Sequence, residues 1–194
     1  MKRLMIISVY FLGCICMILS GMQIQAQKVT LHNRGYDVEY NTLTAIADRV
    51  TYYLSPSDFE GYRKPKRKAF KVDRRTPAPR AKTGHYTNSG YQRGHLCPAA
   101  DRSQDKTLYE ETFLLSNVAP MSPALNLGAW KSTEDYTRKL AQVYRRVRVV
   151  VLVWCPESIT HRLPDSPVAI PYAFGKQVYT ADTDSLLQEW FIYN

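Results

Sequence analysis

The densest chemistry in the chain lies in nine consecutive residues, Gly90-Tyr91-Gln92-Arg93-Gly94-His95-Leu96-Cys97-Pro98. An unperturbed imidazole titrates near about pH 6.5, so His95 can be neutral at working pH and take a proton from water as a general base. Further on, Asn117 and Asn126 stand nine residues apart, and Trp130, Glu134 and Arg138 follow Asn126 at successive intervals of four. On a helix, fourth residues drift by only about 40°, so these last three share a face. Taken alone, Glu134 and Arg138 are an i,i+4 pair stabilising by roughly 0.2–0.5 kcal/mol. Asn126 alone, just before a helix, is a cap. Together, a base, an amide oxygen, a carboxylate and a guanidinium match the needs of attack on a phosphodiester: an activated water, charge neutralisation on phosphate and help for the departing oxygen.

Charge supports an anionic partner. Residues 62–102 carry twelve Lys or Arg against Asp73 and Asp101, whereas the chain from residue 27 onward carries 24 basic and 17 acidic side chains in all. So concentrated a field attracts polyanions, and neutralising phosphates releases condensed counterions. A charge run alone is equally consistent with a solvated loop; its position just before His95 ties it to the chemistry.

In order and spacing, Gln92-Arg93-Gly94-His95, Ser116-Asn117-Val118-Ala119-Pro120, Asn126-Leu127-Gly128-Ala129-Trp130 and Glu134 resemble the DNA/RNA non-specific endonuclease family, a ββα-metal (His-Me finger) group. The likeness reaches Thr112-Phe113, Val168-Ala169-Ile170-Pro171 and Lys176. It implies a ββα-metal nuclease fold of the α+β class, with a central, mostly antiparallel sheet and flanking helices. It also implies hydrolysis of DNA and RNA backbones to 5′-phosphate ends without base readout. In the implied site His95 is the general base, and Asn126 is the one protein ligand of a Mg²⁺, or alternatively Mn²⁺, that keeps most of its water. Glu134 holds a water of that ion, and Arg138 contacts phosphate or the leaving group. Asn117 shapes the site, and Arg93 braces it or meets phosphate. A further substrate-binding arginine falls at Arg67 or Lys68, before Phe70 and Asp73.

Two positions depart from the family pattern. Gln92 stands where Asp is usual, and Met121 follows Pro120 where Gln is common. Gln92 keeps a hydrogen-bond acceptor but removes a negative charge beside Arg93 and His95. The alternative function is therefore an exported nucleic-acid-binding protein of the same fold with impaired catalysis.

The elements that must position these groups are read from periodicity. Residues 29–40 have strand content on either side of the turn signal Asn33-Arg34-Gly35, and residues 50–54 suggest another strand. Residues 55–84 read as a long surface loop, residues 91–98 and 112–118 as strands, and residues 129–147 as a helix. In that helix Tyr136, Leu140, Val143, Tyr144 and Val147 form the apolar face. The run 149–154 is predicted to be a buried central strand, with shorter strands at 168–170 and 177–179.

At 194 residues, 45% apolar and 22% charged, the chain suits one globular domain. Lys2 and Arg3 precede a charge-free apolar run, so residues 1–26 are expected to be a signal peptide, with 27–194 the catalytic domain. An uncleaved anchor or a lipidated Cys14 are the alternatives, and only these involve a membrane. Each places the domain outside the cytoplasm, periplasmic or secreted. No protein partner is implied. Cys97 and Cys155 allow a disulfide without requiring one, and His95 with Cys97 is too little for a tetrahedral zinc site.

Overall fold

The computed structural model describes residues 27–60, 66–156, 158 and 161–194; the expected signal segment, residues 1–26, lies outside them. Three strands, β1 (Lys28–His32), β2 (Asp37–Asn41) and β3 (Ile46–Leu54), form a meander. A second meander comprises β6 (Val147–Trp154), β7 (Ala173–Thr180) and β8 (Leu186–Tyr193). They join through β3 and β6 into one six-stranded antiparallel sheet of order β1-β2-β3-β6-β7-β8. Val147, Val149, Val151 and Val153 of β6 are buried, and β6 is central, as its continuous apolar run predicts.

Between the two meanders lie a short helix α1 (Lys106–Glu111) and a two-stranded ribbon of β4 (Gln92–His95) and β5 (Val118–Met121). Helices α2 (Pro123–Leu127) and α3 (Ala129–Tyr144) follow. Pro123 opens α2, where its missing N–H is not needed, and the Ser122 hydroxyl accepts from Leu125 N at 3.3 Å. Among the described residues no helix is long and apolar enough to cross a membrane.

Three expectations need correction. Residues 112–118 are not one strand: Thr112 closes α1, Leu115–Asn117 is a 3₁₀ turn, and β5 begins at Val118. The apolar and β-branched content of this stretch reflects burial, with Thr112, Phe113, Leu115 and Ser116 all inside, rather than strand pairing. Residues 168–170 contribute only an isolated bridge between Arg162 and Ala169. The core face of α3 is Trp130, Thr133, Thr137 and Ala141, whereas Tyr136, Val143 and Tyr144 are exposed and Val147 belongs to β6. Both threonine hydroxyls bond back to the helix, to Trp130 O and Thr133 O at 2.7 Å, so they pack as small apolar groups. Helices α1 and α2 and strand β8 are not anticipated by the sequence pattern.

Candidate active site

Antiparallel pairing of β4 with β5 sets Gln92 opposite Met121, Arg93 opposite Pro120 and His95 opposite Val118. Gly94 is required here: a Cβ on it would lie 2.3 Å from Met121 Sδ, so the methionine crosses the ribbon where a side chain would stand. At the far end Asn117 clamps the strand exit. Its Oδ1 accepts from Cys97 N at 2.8 Å, and its Nδ2 donates to Cys97 O at 2.9 Å and Thr112 O at 3.0 Å. With both amide hydrogens used and its side chain fully buried, Asn117 fixes the backbone just beyond His95.

Helix α3 supports the same point from the other side, since Trp130 Nε1 donates to His95 O at 3.0 Å. The His95 ring lies against two phenylalanines, Phe70 and Phe113, each with its centroid 5.1 Å away. Phe70 arrives from the loop preceding β4. Lys71 bridges to Leu114, with Lys71 N donating to Phe113 O and Leu115 N to Lys71 O, both at 2.9 Å, which sets the preceding residue over the imidazole. The Nε2 of His95 is sealed from solvent and has no hydrogen-bond partner among the described residues. Burial, with the Arg67 charge adding to it, lowers the imidazole pKa to about 4. His95 is therefore neutral at pH 7, the form a general base needs.

Asn126 is drawn to the ribbon by its Nδ2, which donates to Gln92 Oε1 at 2.7 Å. Arg93 donates from Nη2 to Thr83 O at 2.6 Å and lies over the rings of Tyr86 and Phe70, 5.3 and 5.6 Å from their centroids. Arg67 sits over Phe70 at 5.9 Å, whereas Lys68 is paired with Glu110 at 2.8 Å. Of these two candidates, the structure brings Arg67 to the site and spends Lys68 on a carboxylate.

Glu134 lies one turn beyond Trp130, half-buried. Burial raises its pKa to about 7, opposed by the Lys176 charge and reinforced by Asp101. Lys176, fully buried with Nζ 4.2 Å from the Trp130 ring centroid, has no hydrogen-bond partner among the described residues, and burial lowers its pKa. Arg138 is committed to two carboxylates, Asp101 Oδ1 at 2.6 Å and Asp135 Oδ1 at 2.5 Å. Phe70, Phe113, Tyr86 and Asp101 are parts of this surrounding that motif spacing does not reveal. For Lys176 a further signal exists: it alternates with Phe174 and Val178 in β7, so it must face inward.

Among the described residues, no three His, Cys, Asp or Glu side chains gather as metal ligands. The donors present are instead an amide and a carboxylate. With Nδ2 of Asn126 held by Gln92, its Oδ1 is the open oxygen, and Glu134 enters no ion pair among the described residues. Such a sparse, hard-oxygen set fits a cation that keeps much of its water, as Mg²⁺ does.

With that geometry in place, the chain matches the family model described as DNA/RNA non-specific endonuclease over residues 17–192. The chain belongs to that family. Among other members, the mitochondrial endonuclease G of Bos taurus is 44% identical over 70 residues, covering 36% of this chain and 23% of that protein. A nuclease of Nostoc sp. is 32% identical over 150 residues, covering 76% of this chain and 53% of its own. This family member thus spans from about a quarter to about half the length of those relatives. One chain of a crystal structure of the EndoG/EndoGI complex shares its fold, with a TM-score of 0.69 at 24% identity, covering 85% of this chain and 74% of that one.

Proposed function

We propose that this chain is an exported, Mg²⁺-dependent endonuclease that hydrolyses phosphodiester bonds of DNA and RNA without reading base sequence. The observation that carries the reading is the meeting of three groups on one ribbon: a neutral His95, an Asn126 amide held at Gln92, and a Trp130 that fixes the His95 backbone.

With Nε2 buried, Nδ1 is the ring nitrogen through which His95 takes a proton from the attacking water. Asn126 Oδ1 would hold the cation directly, and Glu134 would order water near it. When bound, the cation supplies charge neutralisation at the phosphate and the leaving 3′-oxygen. Arg67 and Arg93, both over the Phe70 ring, are placed to receive flanking phosphate oxygens, contacts that position a strand without specifying bases. Arg138, tied to Asp101 and Asp135, serves mainly to hold α3 and its Glu134 in place.

Purified protein is expected to nick supercoiled plasmid and degrade RNA in Mg²⁺, and to stop when the ion is chelated. Folded His95→Ala should lose nearly all cleavage; wild-type cutting by that variant would refute the mechanism. Binding without scission in Mg²⁺ would favour the nucleic-acid-binding alternative. Export is tested separately, by sequencing the N-terminus of the cell-associated and secreted product.

A further inference from the structure

The basic stretch before His95 is divided by the fold into spent and unspent cations. Arg75 is held by Asp73, with contacts at 2.7 and 2.9 Å, and Lys68 by Glu110. In contrast Arg74, Arg80 and Lys82 enter no ion pair among the described residues, and all three line one groove of about 710 Å³ together with His85. The polar contact of the Arg80 guanidinium is Nη1 to Arg74 O at 3.2 Å. Among the described residues the groove's one acidic lining residue is Asp165, itself exposed, and its apolar lining is Val72, Ala78, Pro79 and Pro167. Three cations without an ion pair among the described residues, against the single carboxylate of Asp165, leave the groove net positive.

The groove also has a defined relation to His95. Its wall at Lys82 and His85 belongs to the turn Thr83–Tyr86, whose Thr83 O accepts from Arg93 and whose Tyr86 ring lies under that guanidinium. Arg93 reaches across to Phe70, and Phe70 packs on His95. A polyanion seated over His95 and Arg93 therefore meets these cations as it continues past the turn.

We propose that this groove is an extension of the substrate site that binds the sugar-phosphate backbone of the nucleic-acid strand outside the scissile linkage, through Arg74, Arg80 and Lys82. The proposal rests on the nuclease reading for its substrate, but it concerns binding, which is measurable without turnover. It makes cleavage depend on strand length: a short substrate occupies only the His95 centre, whereas a longer one also reaches the groove.

The test uses the full domain carrying His95→Ala, with a fluorescent 30-nucleotide single strand and anisotropy across a salt series. For single strands, removing one phosphate-binding cation lowers the slope of log Kd against log salt by about 0.7. Arg74→Glu with Lys82→Glu, two exposed positions, should weaken binding at least about tenfold and flatten the slope by more than about 1. Arg74→Lys with Arg80→Lys, which keeps the charge, should retain most of the affinity. On the otherwise wild-type enzyme, the Glu pair should raise KM for the 30-mer while leaving cleavage of a dinucleotide-length substrate unchanged. Unchanged affinity and slope in the folded Glu pair would overturn the proposal, as would failure of the parent protein to bind any strand. If the protein with His95 intact binds but does not cut, the catalytic reading fails and anisotropy alone decides the groove.

Discussion

Gln92 does what an acidic residue would do only in one of its two orientations. An amide can accept from or donate to Asn126, whereas a carboxylate can only accept, so an Asp at this position would hold Asn126 Nδ2 inward and Oδ1 outward. Gln92→Asp is therefore expected to lower the Mg²⁺ concentration for half-maximal cleavage several-fold, as read from metal titrations of kcat/KM. An unchanged titration would show that the present hydrogen bond already fixes Asn126. His95 makes a second prediction. Its pKa is lowered from an ordinary 6.5 to about 4, so below pH 6.5 the unfolded chain takes up a proton that the folded chain refuses. Stability credited to the neutral imidazole is present above pH 6.5 and drains away as pH falls toward 4, by up to about 3 kcal/mol. Glu134 acts in the opposite sense between about 4.5 and 7, because the folded form holds its proton longer. The His95 share is isolated by urea denaturation of wild type and His95→Gln at several pH values, where the stability difference should change by that amount. A difference independent of pH would mean that His95 is not held buried and neutral.

At the scale of elements, the sequence announces the first meander and β6, but neither every strand nor which side of a helix is inside. The turn at Asn33-Arg34-Gly35 and the valine run of β6 are legible because strand burial follows a period of two or is continuous. Helix α3 misleads because threonine counts as polar in any pattern, while Thr133 and Thr137 satisfy their own hydroxyls and face the sheet. Apart from Trp130, its exposed apolar residues Tyr136, Val143 and Tyr144 lie outward, with Tyr136 meeting Trp190 of β8 edge-on at 5.6 Å. Val143→Lys, at a position 70% exposed, should therefore change stability by less than about 0.5 kcal/mol. Ala141→Leu, at a position with no exposure, should cost about 1–3 kcal/mol by overpacking. Thermal or urea unfolding distinguishes these outcomes, and equal effects would contradict an inward Ala141 and an outward Val143. Within the site, His95, Asn117, Asn126 and Trp130 are legible because they follow one another at short, fixed spacings along β4, the turn before β5, α2 and α3. Phe70 and Phe113 are not, since contacts between distant segments, the Lys71–Leu114 bridge, Lys68 with Glu110 and Ser116 with Asp73, bring that loop across. The same holds for the pairing of Arg138 with Asp101, 37 residues away.

For the whole molecule, the two cysteines of the described domain are free thiols in different surroundings. Cys97 lies in the buried charged cluster with Arg102 and Asp101, and Cys155 lies near Asp48 and Arg162; burial raises both to about 12. Thiols so seldom ionised are poor nucleophiles, so neither their alkylation in the folded state nor a disulfide between them is expected. The melting temperature of the 27–194 domain should be the same with and without reductant; a drop on reduction would reveal a bridge. A different consequence follows from the way the sheet is assembled. Leu54 pairs with Val147, so the chain leaves one meander and rejoins the other at adjacent strands, and the ribbon, helices α1–α3 and every candidate ligand or base lie on that single excursion. Lys176, Phe174 and Tyr52 reach in from outside it, to the Trp130 ring and to Asp101. Closing such an excursion costs an entropy that grows with the logarithm of its length, about 0.6 kcal/mol for each doubling. The sheet is thus nearly indifferent to how much chain the excursion contains. Segments around the site can lengthen, shorten or be exchanged while the hydrogen-bonded frame that holds its two ends together stays as it is.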